Sequence, residues 1–330
     1  MKFATMFTGF GGADVGLMAA GMTPLWGVEY DASIADVYRK NIGDHVIVSD
    51  VRTVDYAALP VVDWLHASPS CVRASVANVD ATESAEDIEA AQAVVRALQA
   101  HKPFVFTLEN VWAYRNFAAF RLILDTIGSM GYFYDFEHVN CADFGVPQTR
   151  RRLILRATRG LLPPMPQPVP WVGWYEAIAD LLPTLPDSKL APWQIARLPE
   201  SIAAALLVDG KLGSESTNMT TRDGEARCFT VTTSHNQRDM RAVLVSKNAD
   251  KYGDGIRQSF EPAQTIGANE HGSKGITPHR IVAMTPRCLA RFQSFPDWYE
   301  LPDKRSLAAK GIGNAVPPLL MQRIAEGLLG

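Results

Sequence analysis

Short apolar runs alternate with amphipathic stretches over the first 160 residues. Runs rich in β-branched and aromatic residues predict strands, and apolar positions spaced three or four residues apart predict helices. Strands are predicted at residues 3–7, 25–29, 46–49, 61–67, 104–108, 132–139 and 153–156, and helices at 12–20, 32–41, 83–100 and 117–130. This alternation predicts an α/β fold, a doubly wound and mainly parallel sheet with helices on both faces.

A proline-rich segment at residues 161–170 ends the alternation, because proline sustains neither a helix interior nor a central strand. We therefore predict a first domain at 1–160, a second at 161–282, and a C-terminal segment at 283–330 that returns to the first domain. The second domain is irregular and rich in Gly, Thr, Ser and Asn. Two faint strand–loop–strand units are predicted within it, at residues 228–232 with 241–243 and at 262–266 with 280–282.

The composition is that of an ordinary globular protein, with 47% hydrophobic and 20% charged residues. No apolar stretch approaches the roughly 20 residues that cross a bilayer, and no signal-peptide pattern is seen, so we expect a cytoplasmic protein without a membrane partner. The four cysteines lack paired metal-type spacing, so we expect reduced thiols and no metal site. The net charge is -3, but the acidic excess lies in the first hundred residues, which leaves room for a polyanion elsewhere.

A glycine cluster, Gly9, Gly11 and Gly12, stands where the first strand turns into the first helix. Glycine lets a backbone approach a nucleotide-like ligand closely, although a plain tight turn would use it too. The dinucleotide fingerprint needs a third glycine where this chain has Asp14, so an adenosine ligand without phosphates fits better.

Two carboxylates follow the next strands. Glu29 ends the second strand, where it can accept hydrogen bonds from both ribose hydroxyls of an adenosine ligand. Asp50 lies just past the third strand and can accept from an adenine amino group. Both side chains are therefore candidate ligand contacts.

Cys71 and Glu109 each follow a predicted strand. A small buried hydrophobe is the plain alternative for Cys71, but the turn before it and Arg73 after it predict an accessible thiol with a lowered pKa. Glu109 is a helix cap or surface carboxylate in the plain alternative. Its apolar neighbours instead predict partial burial, which would raise its pKa and let it act as an acid.

Arg150 and Arg152 are two residues apart ahead of an apolar strand, so we expect both side chains on one side. A solvated run of charges is the plain alternative. Asn314 lies in a Gly- and Pro-rich stretch at residues 311–318, where a turn before a proline-initiated helix is the alternative to a ligand contact.

In this order, the motifs at residues 7–12, 68–71, 109–111, 148–152 and 311–317 resemble those of the DNA cytosine-5 methyltransferases of the bacterial and phage Dcm-like type. The resemblance implies the Rossmann-like fold of S-adenosyl-L-methionine-dependent methyltransferases, with a smaller, irregular target-recognition domain as the second domain. It also implies action on double-stranded DNA, with a cognate restriction endonuclease as a candidate partner. We expect a monomer, since one recognition domain can read a DNA site.

The resemblance also implies roles for individual residues. Cys71 would add to carbon 6 of a flipped-out cytosine, Glu109 would donate to its ring nitrogen 3, and Arg152 would hold the base carbonyl. Arg150 would steady the catalytic loop or a phosphate. The implied cofactor contacts are Phe7, Gly9, Gly11, Gly12, Glu29, Asp50, Ser68 and Asn314. The implied nucleic-acid contacts are Arg73, Ser75, Arg238 and Arg241.

The sequence departs from the family around the nucleophile, with Ser70 and Val72 where Pro and Gln are usual and Ala74 where an aromatic residue is common. Two alternatives stay open. A tRNA cytosine methyltransferase of the same superfamily is favoured only by the tripeptide at residues 228–230. A DNA-binding protein that has lost catalysis is disfavoured, because binding alone needs neither a thiol nor an acid.

Overall fold

The computed structural model describes residues 1–69, 83–190, 204–209, 219–223, 225–231, 240–245 and 278–330. A seven-stranded sheet forms the first half of the chain. Its strands are β1 (Lys2–Met6), β2 (Thr23–Glu29), β3 (Val46–Val48), β4 (Trp64–Ala67), β5 (Val105–Asn110), β6 (Phe133–Asn140) and β7 (Arg151–Thr158).

The strand order is β3-β2-β1-β4-β5-β7-β6, and β7 is the strand that runs antiparallel to its neighbours. The first five strands are parallel, with β2 on one side of β1 and β4 on the other. The chain therefore switches direction across the sheet at β1, and sheets of this kind bind ligands at the carboxyl ends of strands beside such a switch. The predicted doubly wound, mainly parallel sheet is confirmed.

The strand β5 is longer than predicted. It continues to Asn110, because Glu109 and Asn110 still pair with Ile154 and Leu153 of β7. Glu109 is therefore part of β5, next to its last residue. The sequence pattern instead predicts that Glu109 follows the strand. The backbone of the sheet thus fixes the position of this carboxylate directly.

Eight helices occur in the described residues. They are α1 (Gly12–Ala19), α2 (Ala32–Asn41), α3 (Ala85–His101), α4 (Ala118–Ser129), α5 (Trp174–Ile178), α6 (Pro286–Phe292), α7 (Arg305–Asn314) and α8 (Pro318–Leu329). Short 3-10 helices lie at Tyr56–Ala58, Trp112–Asn116, Cys141–Phe144 and Leu182–Thr184. None of the described helices is both long and apolar enough to cross a membrane.

Side chains of the first sheet pack alternately on two helical layers, as the pleat of a strand requires. Leu65 and Phe106 point to the layer of α3 and α4. Their sequence neighbours Trp64 and Val105 point to the opposite layer, in a cluster with Leu17 of α1. Met321 and Ala325 of α8 belong to that same cluster, so the C-terminal helix packs on the first sheet.

A four-stranded antiparallel sheet follows, with the order β11-β10-β8-β9. Its strands are β8 (Ala204–Asp209), β9 (Met219–Asp223), β10 (Met240–Val245) and β11 (Pro278–Ala283). The sequence pattern predicts neither β8 nor β9. The domain boundaries drawn from sequence stay a prediction.

The predicted strand at residues 228–232 is wrong in its described part. Cys228 makes one parallel bridge, with Gln148 of the first domain, and residues 229–231 are not in a strand. The segment therefore joins the two domains instead of extending the second sheet. The predicted partner strand at 262–266 lies outside the described residues.

Candidate active site at the sheet edge

The turn between β1 and α1, residues 7–12, lies at the switch point of the sheet. Phe7, Gly9 and Gly11 adopt left-handed conformations, with φ of 61°, 56° and 70°. A Cβ on Gly11 would lie 2.1 Å from Ile42, whereas a Cβ on Gly9 would meet no atom within 4 Å. Close packing therefore explains why Gly11 is a glycine. At Gly9 the left-handed backbone explains the glycine, and the position faces open space.

The C-terminal segment closes the side of this turn. A Cβ on Gly12 would lie 2.1 Å from the carbonyl oxygen of Val316, so close packing of α1 accounts for this glycine. The ring of Phe10 fills the space over Gly311 in the same way. Asn314, at the last position of α7, is exposed. The structure thus brings the segment that carries Asn314 beside the glycine turn.

Glu29 holds the glycine turn from the neighbouring strand. Its carboxylate accepts from the backbone N–H of Gly9 at 2.8 Å and from that of Asp31 at 2.9 Å. Because each carboxylate oxygen can accept more than one hydrogen bond, Glu29 keeps capacity for a ligand hydroxyl. Ser68 reaches the turn from β4, where its hydroxyl donates to the carbonyl of Phe7 at 3.3 Å.

Asp50 is engaged by an arginine. Its carboxylate accepts from the Arg52 guanidinium at 2.6 to 3.0 Å and from the Arg52 backbone N–H at 2.9 Å. The hydrogen bonds from Arg52 hold the pKa of Asp50 below its usual value. Arg52 also pairs with Glu89 of α3 at 2.6 Å. Asp50 is therefore fixed in place and charged.

Glu109 and Arg152 form an ion pair on adjacent strands, with 2.8 Å between Glu109 Oε1 and Arg152 Nε. Their side chains are only 8% and 16% exposed. The pair places a carboxyl group and a guanidinium together at the carboxyl end of β5.

Arg150 has hydrogen-bond partners of its own. It precedes β7, and its buried guanidinium donates to the carbonyls of Val231 and Gly313 at 3.1 Å and to that of Ala315 at 3.3 Å. Its charge and that of Arg152 both act on the buried thiol of Cys141. The expectation that the two side chains point to one side stays a prediction. Arg150 ties the first domain to the second domain and to the segment around Asn314.

Asn110 fastens the chain that leads towards Cys71. Its side-chain amide donates to the carbonyl of Pro69 at 3.1 Å, and its Oδ1 accepts from the N–H of Val111 at 2.8 Å. Pro69 is two residues before Cys71 and is thus held beside the end of β5. Of the other residues named from sequence, Cys71, Arg73, Ser75 and Arg238 lie outside the described residues, as do Ser70, Val72 and Ala74.

The three cysteines that the structure describes, Cys141, Cys228 and Cys288, are buried. Burial raises the pKa of Cys141 to about 12 and also raises those of Cys228 and Cys288. A nucleophilic thiol needs access and a lowered pKa, so none of these three is suited to that role. Cys71 remains the candidate nucleophile.

Asn110 and Gln148 hold other parts of the site in place, and the sequence did not predict this role for either residue. Asn110 stands directly after Glu109, and this position beside a candidate catalytic residue could have indicated its role. Gln148 is fully buried, donates to the carbonyl of Phe292 at 3.0 Å and accepts from the N–H of Val231 at 2.9 Å. Nothing in the sequence alone marks these long-range partners. Arg241, predicted as a nucleic-acid contact, lies on β10 opposite Ala283 and Leu207.

The model of the C-5 cytosine-specific DNA methylase family matches residues 1–330. The chain therefore belongs to the C-5 cytosine-specific DNA methylases, a family of S-adenosylmethionine-dependent methyltransferases. It is a DNA cytosine-5 methyltransferase.

Similar proteins agree with this membership. The type II methyltransferase M1.HphI of Haemophilus parahaemolyticus is 28% identical over 100% of this chain and 87% of its own length. The type II methyltransferase M.HhaI of the same species is 26% identical over 99% of this chain and 94% of its own length. A crystal structure of a candidate DNA modification methyltransferase from an E. coli prophage has the same fold, with a TM-score of 0.67, 15% identity, and coverage of 100% and 98%.

Proposed function

We propose that this enzyme methylates carbon 5 of a flipped-out cytosine in duplex DNA through a covalent adduct with Cys71. The observation that carries the proposal is the nearly buried Glu109–Arg152 pair, next to the point where Asn110 holds Pro69. An acid, a cation and the approach to the only candidate thiol thus converge on neighbouring strand ends.

The glycine turn fits S-adenosylmethionine. Gly9 faces open space at the switch point, Glu29 lies against it with spare acceptor capacity, and Ser68 lines it from β4. Phe7, Asp50 and Asn314 would complete the contacts. When bound, the cofactor supplies an electrophilic methyl group and leaves as a thioether. Asp50 would retain its Arg52 partner while one of its oxygens accepts from adenine.

We propose the following steps for the protein residues. The Cys71 thiolate adds to carbon 6 while Glu109 protonates ring nitrogen 3, and the electron pair of the 5,6 double bond moves to carbon 5, which takes the methyl group. Removal of the carbon 5 proton to water returns an electron pair that re-forms the double bond and expels the thiolate. Nitrogen 3 returns its proton to Glu109, and Arg152 holds the base carbonyl throughout.

Carbon 6 is inaccessible inside a duplex, so the base must leave the stack at a cost of a few kcal/mol. We expect the second domain to read the surrounding bases, with Arg238 and Arg241 as candidate contacts. The names of the relatives make a cognate restriction endonuclease a candidate partner. A monomeric state and a cytoplasmic location stay predictions.

The direct experiment incubates the protein with tritiated S-adenosylmethionine and unmethylated genomic DNA, then digests the DNA to nucleosides. We expect label in 5-methyldeoxycytidine with the native chain and none with Cys71→Ala, which should still bind the cofactor. Equal labelling by Cys71→Ala would contradict the covalent route. Label in tRNA but not in DNA would move the substrate to RNA.

Covalent trapping tests the adduct itself. A duplex with 5-fluorocytosine should trap the native protein only when the cofactor is present, because fluorine cannot leave carbon 5 as a proton does. Trapping by Cys71→Ala, or no trapping by a protein that methylates DNA, would contradict the mechanism. A catalytically inactive DNA-binding protein would bind this duplex without trapping.

Glu109→Gln should lower the methylation rate by about 10²- to 10⁴-fold, since proton transfer at nitrogen 3 would be lost. The matched control is Glu137→Gln, an exposed carboxylate on the neighbouring β6. Single-turnover rates with saturating cofactor and DNA measure the chemical step for both variants. An unchanged rate in Glu109→Gln would remove this residue from the mechanism.

A further inference from the structure

Cationic and aromatic side chains stack on one another beyond the end of β5. The guanidinium of Arg115 lies 4.3 Å from the centroid of the Trp112 ring. The Trp112 ring also stacks with the ring of His138 of β6, at 4.5 Å between centroids and with a tilt of only 10°. Arg115 and His138 are exposed. This stack directly follows Glu109 along the chain.

A second group of stacked arginines lies in the second domain. Arg227 sits 3.1 Å from the centroid of the Trp171 ring, and Arg222 sits 4.7 Å from that of Phe229. An open groove of about 310 Å³ is lined by Trp171, Arg222, Glu225, Ala226 and Arg227. Two guanidiniums therefore line one open groove.

Arg151 links the two groups. It is exposed at the start of β7, between Arg150 and Arg152. Arg151 pairs with Asn140 of β6, so its side chain lies on the same face of the sheet as that of His138, two residues before Asn140. Burial lowers the pKa values of His138 and Arg227, and the charge of Arg151 lowers both further, on Arg227 together with Arg222 and against Asp143. Arg151 therefore brings a like charge close to both groups.

One acidic side chain, Asp143, acts on Arg227 against the neighbouring arginines, but the two form no ion pair. Among the described residues, no carboxylate lies within salt-bridge distance of Arg115, Arg151, Arg222 or Arg227. Glu225 lines the groove, and Asp143 accepts from the indole N–H of Trp171 at 2.7 Å. Ring faces hold three of the guanidiniums in place instead, those of Arg115, Arg222 and Arg227. Arg115 also donates to the carbonyl of Trp112 at 3.0 Å. A stacked guanidinium still presents N–H groups at its edge that can bind an anion.

We propose that these four arginines and their rings, Trp112, His138, Trp171 and Phe229, form an arginine–aromatic band that binds the phosphodiester backbone of the substrate DNA. The proposal rests on the proposed function and names the surface by which the DNA is held. A polyanion relieves the repulsion among the arginines, and phosphates match the planar fork of their N–H groups. Arg151 and Arg152 are neighbours on β7 and point to opposite faces of the sheet, so the band lies at the same edge of the sheet as the Glu109 ion pair but on its other face.

The test is the salt dependence of binding to a short unmethylated duplex of mixed sequence. Each phosphate contact that is lost should reduce the slope of log K against log salt by about 0.9. We expect Arg115→Gln and Arg151→Gln each to reduce the slope by about this amount, and the double variant by about twice as much. Arg323→Gln, exposed on α8, is the matched control and should keep the native slope.

Cofactor binding and the thermal midpoint are measured on every variant, since both substituted arginines are exposed and neither should alter folding. Native slopes and affinities in the double variant would overturn the band. A native protein that binds DNA without salt dependence would overturn it too. Reduced slopes in the variants of a protein that fails to methylate DNA would support the band and contradict the proposed function.

Discussion

Asp14 and Glu109 are the buried carboxylates among the described residues of the first domain, and the structure stabilises them in different ways. Glu109, on the ion-pair side formed by β5 and β7, faces the guanidinium of Arg152. Asp14, on the glycine-turn side formed by β1, β2 and α1, is fully buried and accepts hydrogen bonds from the hydroxyls of Thr5 and Tyr38 at 3.0 and 2.7 Å.

The hydroxyl groups around Asp14 are neutral, so burial dominates and raises its pKa to about 6. Tyr38 also contacts Nε2 of His45 at 2.8 Å. Since the Tyr38 hydroxyl proton is donated to Asp14, Nε2 of His45 must be the donor in that contact. The glycine turn thus rests on a chain of hydrogen bonds, whereas the catalytic side rests on opposite charges. A counter-charge is supplied where a carboxylate is proposed to exchange a proton during catalysis.

Removal of the Arg152 charge tests whether Glu109 is stabilised by its ion pair. Arg152→Gln leaves the Glu109 carboxylate buried without a counter-charge, so we expect a loss of about 3–5 kcal/mol in the free energy of unfolding. The double variant Glu109→Gln, Arg152→Gln should recover most of this loss, because no charge remains to be buried. Urea unfolding at neutral pH measures both values.

The control for this cycle is Arg151→Gln, since Arg151 is the exposed neighbour on the same strand. Its effect on stability should stay within about 0.5 kcal/mol. Equal stability losses in the single and double variants would show that Arg152 acts through packing alone, and the contrast with Asp14 would fail.

Asp14→Asn tests the other half. Because the folded pKa of about 6 exceeds the ordinary value of 3.8, the native state holds its proton more tightly than the unfolded state does. The stability that this proton provides is complete below pH 3.8 and is lost as pH rises towards 6. The variant should therefore match the native protein in acid and exceed its stability by about 3 kcal/mol at pH 7.

Urea unfolding of both proteins at pH 4.5 and pH 7 measures this difference. Thr5 and Tyr38 can still donate to the amide oxygen of Asn, so the hydrogen-bond chain is retained. A constant stability difference at the two pH values would mean that Asp14 does not titrate in this range.

The sequence predicted the alternating strands and helices because each element buries one continuous apolar set, and α2 was predicted with its observed bounds, residues 32–41. The antiparallel sheet of the second domain was harder to predict. The strand β9, Met219–Asp223, has a largely polar sequence, and its pairing with β8 depends on partners that a local pattern does not contain.

The same limit applied to the site. The motif around Gln148 to Arg152 was visible in the sequence, but the partners of Arg150 were not. Its guanidinium donates to three carbonyl groups, two of which come from residues more than 160 positions later in the chain. From sequence, Asp14 was considered only because it stands where the dinucleotide fingerprint needs a third glycine. Its burial depends on Tyr38, whose position is set by tertiary packing.

Gly9 offers the finest test of the glycine-turn side. Gly9 and Gly21 share left-handed backbones, with φ of 56° and 82°, and a Cβ on either would meet no atom within 4 Å. Either glycine replaced by alanine should therefore cost about 1 kcal/mol in stability through backbone strain alone. Only Gly9 lies at the carboxyl edge of the sheet, since Gly21 precedes β2 at the opposite edge.

If S-adenosylmethionine fills the space beside Gly9, the added methyl group of Gly9→Ala occupies part of its site. We expect cofactor affinity to fall by about tenfold, or roughly 1.4 kcal/mol, in Gly9→Ala and to stay native in Gly21→Ala. Calorimetric titration with the cofactor, at a temperature where both variants are folded, measures the difference. Equal affinities in the two variants would place the cofactor elsewhere, because backbone strain is common to both and the open space at the switch point is not.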